Sequence, residues 1–288
     1  MSHQTPLLET RTLSVSDIQC HAPRGGCGPE CGGEVAHLTL LRHGSFAYHL
    51  GQQRHVADPA TALFHSARHS YRISHPIDGG DSCTVIACSA DVAEEVFGAD
   101  ALDGRRHDFA VDAPTHLAHL AMWRALQSDT HESLTAEECA LELVGWLRHL
   151  PRLRVRSGAP RRRLRRQVDD ARCLLAERLD SNVAIDSLAR TLGLSPFHLM
   201  RSFRAQTGLT LRTYRRRLRV AAAMAALARG HDDLTRLALD LGFASHSHMD
   251  AAFRRELGHT PTHARHRLAR TGKSQWRRFV QAMQTPPG

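Results

Sequence analysis

The sequence predicts a multidomain α+β protein. A β-rich N-terminal half of short strands is followed by two amphipathic helices and an all-helical C-terminal half built on a duplicated helix-turn-helix. Three observations carry this prediction. The chain of 288 residues is long enough for two domains at ~150 residues each. Its net charge of +9 is divided unequally: residues 1–151 hold 10 basic and 19 acidic side chains, and residues 152–288 hold 28 and 10, giving −9 and +18. The apolar pattern also changes near Asp108, from short runs broken by Gly and Pro to helical spacing.

The N-terminal half is read as residues 1–107. Val35–His43 leads through Gly44 into Ser45–Leu50, and Gly51 opens the next turn. Further runs follow at Thr61–His65, Tyr71–His75 and Cys83–Ala90, with breaks at Pro59, Pro76 and Gly79-Gly80. Many short strands between such turn signals predict a small barrel or sandwich. Residues 108–150 carry two amphipathic helices, Ala113–Gln127 and Leu134–Leu150, stopped by Pro151. Residues 151–166, rich in Arg and interrupted by Ser157-Gly158-Ala159-Pro160, read as a linker. Helices are expected at 167–180, 185–193, 195–207, 210–229, 233–241, 245–257 and 261–268 within a unit spanning 167–270, and a loose tail at 271–288.

The basic half contains a repeat. Ala189 precedes Gly193 by four residues, and Leu199, Phe203 and Gly208 follow at six, four and five. Ala238 precedes Gly242 by four, and Met249, Phe253 and Gly258 follow at seven, four and five. In a helix-turn-helix the small residue lets the second helix cross closely. The glycine takes φ > 0 in the turn, and the later apolar residue anchors the second helix. Ser195 and Ser245 stand where helix N-caps belong, with Pro196 at the first helical position. The helix between the units, Thr210–Arg229, would be about 30 Å long, close to the ~34 Å recurrence of the major groove. Two copies in a +18 half point to double-stranded DNA.

The segment Val168–Leu268 resembles the DNA-binding domain of the AraC/XylS transcriptional regulators. The matching pieces are Ser187–Ser195, His198–Phe203, Arg217–Arg219, Gly242–Met249 and Ala252–Pro261. With Leu199 and Phe203 turned inward, a helical wheel aims Phe197, Met200, Arg201 and Arg204 at the groove. Arg201 is the expected guanine reader. The corresponding positions of the second unit are His246, Ser247, Ala251 and Arg254. Arg215, Arg216, Arg217, Arg219, Arg255 and Arg265 are expected on phosphates, supplying affinity rather than sequence information.

The resemblance implies a cupin-like, effector-binding barrel in the N-terminal half, with the helices after it forming a homodimer. It also implies an unknown small-molecule effector and contact with RNA polymerase, and leaves activation and repression both open. The HxH…E signature of enzymatic cupins is absent, and Asp58 with His75 alone makes no iron site, so no catalysis is expected.

Cys20, Cys27 and Cys31 lie in a Gly-rich arm where three thiolates could converge on a metal ion, and metal or redox sensing is the rival reading. Other rivals are a cupin-type enzyme with an appended DNA-binding module and a nonspecific DNA-coating protein. Cys83, Cys88, Cys139 and Cys173 read as core residues, and pairs such as His65 and His69 as polar strand faces. Seven cysteines suit a reduced chain better than a disulfide scaffold. No apolar run reaches ~18 residues, so no membrane span is expected. The N-terminus lacks a basic-then-apolar signal, so the expected location is the cytoplasm.

Overall fold

A computed structural model describes residues 2–26, 28–32, 35–51, 53–67, 70–98, 107–127, 133–147, 149–150 and 159–269. Ten strands form two sheets. The larger is ordered β1(Ser2–Glu9), β2(Leu13–Cys20), β9(Asp81–Cys88), β4(Ala36–Gly44), β7(Thr61–His65), β10(His107–Ala110). The smaller is ordered β3(Glu30–Cys31), β8(Tyr71–Ser74), β5(Phe46–Leu50), β6(Gln53–Ala57). Adjacent strands pair antiparallel, for example Leu13↔Cys88 and Ala36↔Cys88 on either side of β9. The inner faces meet over Leu41, Phe46, Tyr48, Leu63 and Cys83. No strand pairing among the described residues joins the sheets, so they form a two-layer sandwich rather than a closed barrel.

The expected strands are present, but five were not legible in the chain, among them the exposed two-residue β3. β1 is an exposed edge strand whose register shifts after Pro6, where the missing N–H breaks the ladder. β2 alternates, but its third inward position is Asp17, paired with Arg42 inside the protein. β6 and β10 are short runs of mixed polarity. The strand read to Ala90 ends at Cys88. Ser89 then caps α1(Ala90–Phe97), its Oγ accepting from Val92 N–H. His65 is not on a polar face: it is buried between the sheets, bonded to Tyr48 and stacked on Tyr71. His69 lies outside the described residues.

The two amphipathic helices are α2(Ala113–Leu126) and α3(Ser133–Leu147). α2 is buried on nearly all sides, which is why its apolar residues leave no clear stripe. It lies between the larger sheet and α7(Leu211–Ala228), so most of it is occupied within one chain. The remaining helices are α4(Ala159–Glu177), α5(Ile185–Thr191), α6(Pro196–Thr207), α8(Leu234–Asp240), α9(His246–Leu257) and α10(Pro261–Ala269). α4 begins inside the stretch that composition assigns to a linker, so the Arg-rich run after Ala159 is helical. Residues 151–158 and 271–288 lie outside the described residues.

Two cores divide the basic half. Val168, Leu188, Leu199, Phe203 and the first turns of α7 make one. The second half of α7 joins Leu237, Met249 and Phe253 to the core that also covers the larger sheet.

Candidate nucleic-acid interface

The two units share one local construction. Gly193 and Gly242 take φ of +65° and +73° in their turns, and Gly208 and Gly258 close α6 and α9 at +75° and +76°. Ser195 and Ser245 cap the second helices, accepting from His198 and His248 N–H at 3.2 Å. Ala189 and Ala238 are fully buried at the crossings, as are Leu199, Phe203, Met249 and Phe253.

Fixing those anchors presents the opposite faces to solvent. On α6, Phe197 is 70% exposed, and Met200, Arg201 and Arg204 are exposed beside it. Solvating an aromatic ring to that extent forgoes about 1.5–3 kcal/mol of burial. On α9, Ser247, Ala251 and Arg254 are exposed, and His246 is half-buried. Asp250, which the sequence reading passed over, lies between His246 and Arg254 at 3.4 and 3.6 Å. A carboxylate on this face can accept from cytosine N4. Its signal in the sequence was the i,i+4 spacing to both neighbours.

The arginines expected on phosphates divide into different roles. Arg219 is only 5% exposed and donates to the Leu179 and Ser181 carbonyls and to Asn182 Oδ1, so it braces the α4–α5 connection instead of reaching DNA. Arg216 and Arg217 both hold Glu256 of α9, at 2.6 and 3.1 Å, which locks the linking helix to the second unit. Arg215 donates to the Val183 carbonyl, and Arg265 to the Asp232 carbonyl at 3.2 Å. Arg255 is exposed on α9, and so is Arg212 in the first turn of α7, a residue the sequence reading did not select.

A cavity of about 680 Å³ separates the β half from the first unit. Val56, Ala60 and Asp108 line it from the strands, Arg165, Asp169 and Arg172 from α4, and Phe197 and Arg201 from α6. Beside it, buried Asp58 accepts from Arg172 at 2.9 Å and from the Tyr214 hydroxyl at 2.5 Å. Arg54 adds an ion pair to Asp170 at 2.7 Å. Burial pushes the Asp169 carboxyl up to about 6 against the opposing influence of Arg172, Arg165 and Arg54, and its Oδ2 has no hydrogen-bond partner. Asp58 therefore clamps the β half to α4 and α7, while His75 bonds Asp81 at 2.8 Å.

The expected thiol trio is not assembled among the described residues. Cys31 lies on β3, exposed and bonded to the Pro29 carbonyl, and Cys27 lies outside the described residues. Cys20 ends β2 beside His75 and Asp81. Cys83, Cys88, Cys139 and Cys173 are buried, as expected.

Two capped helix-turn-helix units, each exposing one face of its second helix on a shared spacer, define a sequence-specific DNA-binding regulator of transcription. Residues 188–267 match the family described as "Helix-turn-helix domain". The regulatory protein SoxS of Escherichia coli K12 is 34% identical over 101 residues, covering 35% of this chain and 94% of SoxS. The HTH-type transcriptional activator RhaR of Salmonella dublin is 33% identical over 92 residues, covering 32% of this chain and 33% of RhaR. Among solved structures, ToxT of Vibrio cholerae O395 aligns over 92% of this chain and 97% of its own, with 9% identity and a TM-score of 0.35. The chain belongs to the AraC/XylS family of transcriptional regulators.

Proposed function

We propose that this regulator binds a small organic anion in the cavity between its β half and its first helix-turn-helix, and that the ligand sets how that unit meets DNA. One observation carries the reading: Phe197 and Arg201 line the cavity and also stand on the solvent-exposed face of α6, the face proposed to meet the groove. An occupant of the cavity therefore touches the side chains that read bases. Arg165, Arg172, Arg201 and Arg217 outnumber Asp108 and Asp169 in the lining, which favours an anion. Because the ligand shifts an equilibrium between arrangements, its effect is bounded by its preference for one of them.

In this reading residues 1–107 are a cupin-like sensor, 108–150 the helical segment and 167–270 the DNA-binding domain, to which α4 adds the residues from Ala159. The protein acts in the cytoplasm as a homodimer through the helical segment 108–150. It activates transcription by contact with RNA polymerase and performs no catalysis. Among the described residues no helix is long and apolar enough to cross a membrane.

The test is a thermal-shift screen of organic carboxylates and phosphates, followed by DNA titration with and without each stabilising compound. Ala205→Trp places a large ring at the exposed α6 edge of the cavity. It is expected to abolish the ligand response while DNA binding persists. A ligand response that survives Ala205→Trp places the effector elsewhere, and no stabilisation by any anion rejects the ligand class.

A further inference from the structure

Three side chains of different chemistry converge at one edge of the sandwich. Cys20 is the last residue of β2 and Asp81 the first of β9, and the two are cross-strand partners. His75 follows β8 in the other sheet, and its Nε2 lies 2.8 Å from Asp81 Oδ1. The sulfur, nitrogen and oxygen atoms all lie within 4.8 Å of one another. The approach depends on Gly80, with φ at +69°, because a Cβ there would sit on the Cys20 carbonyl oxygen.

Asp81 is the acid of this corner, and the Cys83 thiol and His43 also feel its charge. Asp81 is buried, and among the described ion pairs only His75 faces it. Buried Arg42 is bonded to Asp17 and Thr84. Burial and the Asp81 charge together raise the Cys20 thiol pKa.

We infer that Cys20, His75 and Asp81 bind a zinc-type divalent cation, with a fourth position open to water or a further ligand. One thiolate, one imidazole and one carboxylate suit zinc or cobalt, whereas calcium and magnesium require more oxygen ligands. Ligand atoms on a tetrahedral ion stand roughly 3.3–3.6 Å apart, within small side-chain adjustments of the spacing present. On binding, the Cys20 S–H proton leaves to solvent and a sulfur–metal bond replaces it. The ion would tie the two sheets together at the base of the Cys20–Cys31 arm. The site is separate from the cavity and independent of its reading. It also differs from the three-cysteine set expected from sequence, sharing only Cys20.

The experiment uses the reduced full-length chain without a histidine tag, stripped by chelator and titrated anaerobically with cobalt(II). One cobalt per chain is expected, with a thiolate-to-cobalt charge-transfer band that zinc abolishes. The many other histidines supply no sulfur and cannot produce that band. Cys20→Ser should remove the band, and His75→Gln or Asp81→Asn should weaken binding by roughly tenfold or more. The Cys27→Ser/Cys31→Ser double variant should bind as the wild type does. His75→Gln keeps a donor to Asp81, so it reports ligation even where Asp81→Asn misfolds, which loss of DNA binding would reveal. Failure of the wild type to bind cobalt stoichiometrically overturns the inference, as does a band that survives Cys20→Ser. A band lost in the double variant but kept in His75→Gln would move the ion into the arm and overturn it equally.

Discussion

Arg201 is the side chain we propose for base reading by the first unit: it is exposed on α6 beside Phe197, while Leu199 and Phe203 hold the helix from behind. Arg201→Ala is expected to cost about 1–3 kcal/mol on the cognate site and to relax preference at one base position. Arg255→Ala should weaken all sequences alike and reduce the salt slope by about one. Arg216 is a poorer choice for that comparison, since its removal also frees Glu256. Equal losses on cognate and random DNA for Arg201→Ala would reject its role.

A second residue-scale prediction concerns His116 and His119, buried on α2. Burial lowers His116 to about 4 and His119 well below its usual range, with neighbouring Arg42 acting in the same direction. The folded protein thus binds fewer protons than the unfolded chain. Their contribution is complete above pH ~6.5 and is lost as pH falls towards 4, about 3 kcal/mol for His116. Urea midpoints at pH 7 and 5 should differ less in His116→Leu than in the wild type. Asp169, which acts in the opposite sense, is common to both proteins.

At the scale of elements, the two turn glycines look equivalent in sequence but are not equivalent in place. Both have positive φ, which costs a non-glycine residue about 1–2 kcal/mol. A Cβ at Gly193 meets open space, whereas at Gly242 it would collide with the Leu179 and Asp180 carbonyls and with Arg219. Gly193→Ala should therefore lower stability by about 1 kcal/mol and Gly242→Ala by well over 2 kcal/mol in urea denaturation. Similar losses in the two variants would show that the α4–α5 connection yields. The capping serines behave alike by contrast, and Ser195→Ala or Ser245→Ala should each cost about 1 kcal/mol.

The whole molecule is held together by contacts that join residues far apart in the chain. Asp58, Arg172 and Tyr214 form a buried cluster between the β half and the first unit, and α2 packs on α7 beneath the second. Removing one partner of a buried ion pair strands the other. Asp58→Ala is accordingly expected to cost about 3–5 kcal/mol, and Tyr214→Phe about 1 kcal/mol. If Asp58→Ala unfolds as the wild type does, the clamp is not a determinant of stability.

The sequence by itself determined the helical half. Its caps, glycine turns and inward anchors are local, set by 3.6-residue spacing and by residues within one turn of each other, so Ser195, Gly193 and Leu199 could be read directly, whereas the start of α4 at Ala159 could not. The same wheel located Phe197 and Arg201 on the exposed face of α6. What only the tertiary structure decided depends on distant neighbours. β2 hides Asp17 because Arg42 arrives from another strand. Arg219 is a brace because the Leu179 and Ser181 carbonyls fold onto it, and α2 faces its own chain because α7 covers it. Cys20 meets His75 and Asp81 instead of Cys31 because pairing in the larger sheet and a glycine turn bring residues some sixty positions apart into one corner. Burial and charge pairing are properties of the assembled fold, and no local pattern in the chain encodes which distant group will supply the partner.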